Sequence, residues 1–313
     1  MADWVSIPVG IDIGTTRIRL ALGERHREGH VRVRAIASRE ISDGPLSDAI
    51  GDLLREVGSK ERRCVLGVGA PAASLRYVKF PKMSWTERLR AARFEVARWP
   101  GFDAGPVQTI VRVHPVSRHE GIYAVGAASA TAIEELIALA KASKMRIVAI
   151  DHDACALRRL FPQVDAVVDV GAERTVVHAF GQHGPLTAVV DAAGNQVTRD
   201  IARELSIDLV TAEKRKRILG CAGAGAHAQD AVIAGIAAVV ERLRARVTIE
   251  RIAVTGNGAR LPSFLADLQD ATGTQTEMPV PELLLEPYPA DVVRTAAPDW
   301  SLAAGLLAWS AAA

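Results

Sequence analysis

Two aspartates are the residues of this chain best placed to do chemistry. Each is followed two positions on by a glycine and five positions on by an arginine: Asp12-Ile13-Gly14-Thr15-Thr16-Arg17 and Asp169-Val170-Gly171-Ala172-Glu173-Arg174. Both copies close one apolar, strand-like run and open another. A strand that ends in Asp-x-Gly and doubles back sets a carboxylate beside bare backbone N–H groups, which favour anions. The hydroxyls of Thr15 and Thr16 add further donors. Two such turns facing each other would suit a polyphosphate with a hydrated Mg²⁺, since Mg²⁺ takes oxygen ligands and keeps several waters. A third glycine turn, Thr255-Gly256-Asn257-Gly258, follows another strand-like run. Any one of these turns alone is an ordinary tight hairpin. Three in this order, two with an Asp ahead of the Gly, point to phosphate binding.

Composition is compatible with that chemistry and excludes other classes. The 313 residues suffice for two α/β domains, and the core must come from aliphatics, because 49% of residues are hydrophobic but only 4% aromatic. A net charge of +2 argues against nucleic acid as the main partner. Three dispersed cysteines with no ligand spacing suggest a reduced, cytoplasmic protein without structural zinc. The N-terminus lacks the charged and apolar regions of a signal peptide, and the apolar end from Ser301 to Ala313 is too short to span a bilayer, so a final core helix and no direct membrane insertion are expected.

The elements that must carry these turns follow from periodicity and punctuation. Residues 6–23 read as two strands around Gly14, and 30–41 as a third. A helix is expected over 46–57 and a strand over 64–69. Residues 74–80 form a strand, and Ser84 with Glu87 three residues on is a capping box for a helix through Trp99. Strands over 107–115 and 121–127 complete a small α+β unit inserted at about 74–128. A helix over 131–143, a strand over 147–150 and a short helix over 152–160 close the first half. The second half opens at 164 with the second Asp-x-Gly strand. It continues with a strand over 184–191, helices over 195–205, 208–219 and 227–246, a strand over 249–255 and a helix over 262–271. A proline-rich surface loop over 279–289 and a closing helix from about Ser301 end the chain. Alternating strands and helices imply a largely parallel sheet in each half.

With these turns in place, the sequence resembles the actin-like ATPase superfamily of actin, heat-shock chaperones and sugar kinases. Asp12 to Thr16 looks like its first phosphate loop, Asp169 to Thr175 its second, and Thr255 to Ala259 its adenosine loop. Within the superfamily the chain is most similar to the PilM family of type IV pilus assembly, with the cell-division protein FtsA next. The resemblance rests also on Ala193-Gly194-Asn195-Gln196-Val197-Thr198, on Ala212-Glu213-Lys214-Arg215-Lys216 with Gly220, on Tyr77 to Pro81 and the helix ending at Trp99-Pro100, and on Ala303-Ala304-Gly305-Leu306. It implies an actin-like α/β fold of two related lobes around a nucleotide cleft. Residues 1–163 would form the first lobe, with the inserted subdomain, and 164–313 the second, with a helical subdomain over about 194–250. It further implies ATP and Mg²⁺ as ligands. The nucleotide would contact Asp12, Gly14, Thr15, Thr16, Asp169, Gly171, Gly194, Glu213, Lys216, Gly256, Asn257 and Gly258, and Asp12 and Asp169 would hold the metal through water. Glu213 and Lys216 also have the spacing of an ordinary helix ion pair. The sequence departs from the family at Ala193, at Asn257 and at Arg19, where many relatives carry Lys.

The same resemblance implies a partner: the N-terminal cytoplasmic peptide of a PilN-like membrane protein, docked beside the inserted subdomain, along with other pilus platform proteins. That places the chain in the cytoplasm, peripheral to the inner membrane, and leaves homo-oligomer formation and ATP hydrolysis open. The helix from residue 131 offers Glu134, with Glu135 beside it, as a candidate for activating water. Two other readings stay open. One is a sugar or small-molecule kinase of the same superfamily, with Asp153 as general base. The other is an FtsA-like cell-division scaffold.

Overall fold

The computed structural model describes residues 4–41, 44–102, 108–117, 119–182, 184–281 and 290–309. Two sheets carry the phosphate-loop turns. The first contains β1 (Trp4–Ser6), β2 (Val9–Ile13), β3 (Arg17–His26), β4 (Val31–Glu40), then α1 (Leu46–Glu56) and β5 (Arg63–Val68). The inserted unit follows as β6 (Ala73–Lys79), α2 (Trp85–Val96), β7 (Thr109–Ser117) and β8 (Ile122–Ser129). The chain returns through α3 (Ala130–Ala142) to the sixth strand of the first sheet, β9 (Arg146–His152), and to α4 (Asp153–Leu160). The second sheet runs from β10 (Ala166–Val170), β11 (Thr175–Gly181) and β12 (Gly184–Val190) through helices α5 (Gly194–Leu205), α6 (Leu209–Leu219) and α7 (Ala226–Arg244). It ends with β13 (Arg251–Thr255), a 3₁₀ turn (Asn257–Arg260), α8 (Phe264–Thr272), β14 (Gln275–Glu277) and α9 (Ala290–Leu307).

The two sheets have one topology. The first is ordered β4-β3-β2-β5-β9 and the second β12-β11-β10-β13-β14. In each, the strand ending in Asp-x-Gly is central. It pairs antiparallel with the next strand of its hairpin and parallel with the strand that returns after a helix. The short β1 adds to β3 beside β2, so β3 is flanked on both sides.

Packing follows the apolar faces. Ile50, Leu53 and Leu54 of α1 meet Val9, Ile11 and Leu20 on one face of the first sheet. Val232, Ile236 and Val240 of α7 meet Val168, Val254 and Phe264 in the second half. Between the sheets lie α4 and α9: one cluster joins Ala21 and Val33 of the first sheet, Leu157 of α4, Ala303 and Leu307 of α9, and Val167 and Ala253 of the second sheet. Gly10 makes this layer fit, because a Cβ there would stand 2.2 Å from the Ala303 carbonyl oxygen. The inserted unit has its own antiparallel sheet, β6-β8-β7, with α2 packed on it through Val96 and a core of Phe80, Trp99, Val113 and Tyr123.

Most expected elements form, and the Ser84–Glu87 capping box closes in both directions. Both sheets are mixed where largely parallel ones were expected, because each Asp-x-Gly strand turns back through a hairpin on one side; β1 was not expected, and two further elements differ. The three-residue β14 carries no periodic signal and becomes a strand only through its parallel pairing with β13. The last helix begins at Ala290, eleven residues ahead of Ser301, and runs through Pro298. Proline has no N–H and usually stops a helix. Here the Pro298 carbonyl is held from outside the helix by the Gly256 N–H at 2.9 Å. Residues 282–289 of the expected proline-rich loop lie outside the described residues.

Candidate functional site

Both Asp-x-Gly turns close with the same hydrogen bond. The Gly14 N–H donates to the Arg17 carbonyl at 3.0 Å, and the Gly171 N–H to the Arg174 carbonyl at 3.1 Å. Each bond fixes the reversal that leaves the preceding Asp at the strand end. In the first turn Thr15 and Thr16 are exposed, with their hydroxyls open to a ligand. In the second, the start of α5 is docked onto the loop: Gly194 N–H donates to the Gly171 carbonyl at 3.1 Å and Asn195 N–H to the Ala172 carbonyl at 2.6 Å. Ala193, the departure from the family's Gly, is extended and buried beneath this contact.

Asp12 and Asp169 come from different sheets yet share one electrostatic environment. Burial raises the Asp12 carboxyl to about 6, Arg19 opposes that rise, and the nearby Asp169 and Asp299 add to it. Asp169 is also raised, first by burial, against the pull of Arg19 and a 3.3 Å hydrogen bond from the Thr255 hydroxyl. A third carboxyl, Asp153 at the start of α4, is pushed well above the usual range by burial and by Asp12 and Asp169. Its Oδ1 is buried without a hydrogen-bond partner among the described residues. Space for it comes from two glycines: a Cβ on Gly67 would lie 2.9 Å from Asp153 Oδ1, and one on Gly69 2.0 Å from Oδ2. Desolvation and mutual repulsion both disfavour the charged forms, so the cluster is poised to accept a cation.

The cation already present is Arg19. It stands opposite Asp12 in the β2–β3 register and donates from Nη1 to Asp12 Oδ2 at 3.2 Å. Its Nε and Nη2 both donate to Asp299 Oδ1, at 3.0 and 2.5 Å. Asp299 lies on α9, 280 residues away in sequence, and no local pattern marked it.

The donor set fits a hydrated Mg²⁺ better than a metal held wholly by protein. Only carboxylate oxygens are offered, one of them unpartnered. Among the described residues no three His, Cys, Asp or Glu side chains are arranged to cage an ion. Mg²⁺ characteristically keeps waters and shares its shell with phosphate oxygens.

The remaining predicted residues form two walls. Glu213 and Lys216 make the i,i+3 ion pair that their spacing allowed, at 2.6 Å. Thr198, part of the Ala193–Thr198 motif but given no site role from sequence, completes the group: its hydroxyl donates to Glu213 at 2.6 Å and accepts from Lys216 Nζ at 2.7 Å. Lys216 Nζ also reaches the Gly194 carbonyl at 2.9 Å, tying α6 to the second turn. Burial would raise Glu213, but these hydrogen bonds and the Lys216 charge bring it down to about 2. On the other side, Gly256 has φ +80°, and a Cβ there would lie 2.5 Å from the Val170 carbonyl and 2.6 Å from Asp169 Oδ1. The tight approach of this turn is therefore to β10, beside Asp169. Asn257 and Gly258 begin the 3₁₀ turn that follows.

Glu134 is not part of this constellation. It is exposed on α3, a helix that packs on α1, β8 and β9, and no charge interaction links it to the aspartates. The carboxyls that do converge are Asp153 and Asp299.

Comparison with known proteins places this architecture. Residues 166–305 match the family model of the cell division protein FtsA. No curated protein matches the sequence. Among solved structures, a PilM-PilN type IV pilus biogenesis complex is similar at 24% identity and TM-score 0.79, over 96% of this chain and 97% of that one. The ethanolamine utilization protein EutJ from Carboxydothermus hydrogenoformans follows at 15% identity and TM-score 0.59, over 99% and 91%. A Bacteroides thetaiotaomicron protein with an actin-like ATPase fold and unknown function aligns at 8% identity and TM-score 0.52, over 97% and 96%. The chain has the actin-like ATPase fold.

Proposed function

We propose that this chain is an ATP-binding, PilM-like component of an inner-membrane assembly platform for a type IV pilus or a related secretion or competence system. The observation that carries the nucleotide reading is the meeting of Asp12 and Asp169, one from each of two topologically equivalent turns, around a single buried arginine. Bound Mg²⁺ would neutralise charge on the β- and γ-phosphates, with Asp12 and Asp169 holding its waters. Thr15, Thr16 and the N–H groups after Gly14 and Gly171 would grip phosphate oxygens. Glu213 and Lys216 would face ribose and adenine from α6, with Gly194 beside them and the Gly256–Asn257–Gly258 turn opposite. The Arg217 side chain of α6 reaches Glu40 at the end of β4, at 3.3 Å, so closure over a nucleotide has a contact between the lobes to strengthen.

No residue at the site is an evident base for water. Burial and the nearby Asp12 and Asp169 push Asp153 above the usual carboxylate range. Binding coupled to lobe closure, with weak or absent turnover, is the activity this geometry supports.

The scaffold half of the proposal rests on the inserted unit and on the likeness to a PilM-PilN complex. Residues 73–129 carry nine Lys or Arg against four Asp or Glu, a net of +5 in a chain whose total is +2. On α2, Phe94 is 73% exposed and Trp85 55%. Exposed aromatics among arginines suit a binding surface. Such a unit would dock the N-terminal cytoplasmic peptide of a PilN-like protein and hold the chain at the membrane through that partner. Among the described residues no helix is long and apolar enough to cross a membrane.

The test is a titration of the purified chain with a non-hydrolysable ATP analogue, with and without Mg²⁺. Wild type should bind in a Mg²⁺-dependent way, and Asp12→Ala and Asp169→Ala should each lose at least about tenfold in affinity, the scale of one charge-assisted contact. Wild type that ignores the analogue under both conditions sinks the nucleotide reading. An immobilised PilN-like peptide tests the partner reading separately.

A further inference from the structure

The dipeptide Pro298–Asp299 touches both nucleotide loops at once, although those loops belong to different lobes. The Pro298 carbonyl accepts from Gly256 N–H at 2.9 Å, at the mouth of the third glycine turn. The next side chain, Asp299, takes the Nε and Nη2 donors of Arg19 at 3.0 and 2.5 Å, at the mouth of the first. Both Arg19 and Asp299 are largely buried, with side chains 13% and 9% exposed.

A guanidinium has five N–H donors in a rigid fork. Asp299 occupies two and Asp12 one. One N–H on Nη1 and one on Nη2 therefore have no bond among the described residues. The tip lies against the first phosphate loop, since a Cβ on Gly14 would stand 3.3 Å from Arg19 Nη1. A free arginine side chain would lose much rotational freedom on gripping an anion. Here that freedom is removed in advance by Asp299 and Asp12.

We propose that Asp299 is a positioning residue: it fixes the Arg19 guanidinium so that its two open N–H groups meet a phosphate oxygen above Gly14. Because Asp299 follows the residue that holds Gly256, the grip on the phosphates is also set by the position of the adenosine-loop turn. This rests on the nucleotide reading above and adds to it a residue that no motif supplies.

The sign of the effect separates positioning from mere proximity. As a nearby negative charge, Asp299 would repel phosphate, and neutralising it would tighten binding. As the group that orients Arg19, its loss would weaken binding. The experiment is isothermal titration of the full chain and of Asp299→Ala, which removes both the charge and the acceptor, with ATP, ADP and adenosine, and with thermal melts of each protein. The expected result is about a tenfold loss of ATP and ADP affinity, the scale of a hydrogen bond to a charged group, with adenosine affinity unchanged. Adding Arg19→Met to Asp299→Ala should cost little more, because the two act as a unit. ATP binding equal to or tighter than wild type overturns the assignment while leaving the nucleotide reading intact. A wild type that binds none of the three ligands overturns both. If Asp299→Ala does not fold, Asp299→Glu carries the same test, since it keeps the charge but displaces it: weakened ATP with unchanged adenosine is expected, and unchanged ATP affinity refutes the proposal.

Discussion

The two Asp-x-Gly turns are alike in everything the hairpin dictates and differ in what surrounds it. Strand order, the Gly N–H bond to the Arg carbonyl and the parallel neighbour all repeat. Opposite Asp12, however, the β2–β3 register places Arg19, whereas opposite Asp169 the β10–β11 register places Val176. On the parallel side, Asp169 faces Thr255, which donates to it. The corresponding strand in the first lobe runs on into Gly67, which leaves room for Asp153. One fold thus makes two unlike half-sites, the first supplying the fixed cation and the second a carboxylate held by a hydroxyl. Backbone geometry sets where the chemistry is placed, and the side chains one strand away set its sign.

The comparison breaks most severely at Arg19. Arg19→Met would make the first half-site as apolar as the second and leave Asp12 and Asp299 buried without their cation. A loss of about 3–5 kcal/mol at pH 8 is expected, the range for removing one partner of a buried pair. Val176→Met, at the equivalent position, should cost less than about 1.5 kcal/mol as a volume-similar apolar swap. Urea unfolding of both variants reads the contrast, and equal losses would refute it.

Next in size is Gly256→Ala. A Cβ would meet both Val170 and Asp169, and the backbone is at φ +80°. A penalty of about 1–3 kcal/mol in urea unfolding is expected for strain of this kind. A larger penalty than that of Gly14→Ala, where φ is not positive, would show that the third turn is the more tightly fitted.

Glu213 sharpens the contrast in electrostatics. Its folded pKa, about 2, lies below the ordinary glutamate value of 4.5, whereas that of Asp12, about 6, lies above the ordinary 3.8. Glu213 therefore adds stability above about pH 4.5, and that stability fades as pH falls toward 2. Glu213→Gln should cost about 1–2 kcal/mol at pH 7, discounted for partial exposure, and the gap to wild type should close in acid. The charged form of Asp12 is disfavoured instead, so its penalty grows as pH rises from about 4 through 6. A Glu213→Gln gap that is as large at about pH 2 as at about pH 7 would contradict the assigned shift.

Smallest are the turn arginines. Arg17 pairs with the exposed Glu40 at 2.8 Å, and Arg174 donates to the Ala70 carbonyl at 3.3 Å. Each Ala variant should change stability by less than about 1 kcal/mol, as surface ion pairs and partly exposed contacts do. A larger loss at Arg174 alone would mark its contact with the first lobe as the stronger tie.

Much of this was legible in the chain because it is local. Asp-x-Gly followed by an arginine names its own turn, and the Ser84–Glu87 cap closes within four residues. The 3.6-residue spacing of Ile50, Leu53, Leu54 and Val57 announces α1. The pair Glu213 and Lys216 could be placed on one helix face by counting. Thr198 could not be joined to them, because the packing of α5 on α6 brings it there. Glu134 follows β8 closely in sequence, and α3 presents it to solvent.

By itself the sequence determined the repeated hairpins, the aspartates at their ends and the glycines that let the chain turn, since these depend on backbone sterics and on residues a few positions apart. Only the tertiary structure decided which charges meet. Asp299 reaches Arg19 across 280 residues because α9 extends back through Pro298 to Ala290. A proline that reads locally as a stop lies within that helix, and its carbonyl accepts from the Gly256 N–H. Asp153 enters the cluster because Gly67 and Gly69, on another strand, leave its carboxyl room. Such contacts depend on the packing of elements distant in the chain, and the spacing of residues along it does not encode them.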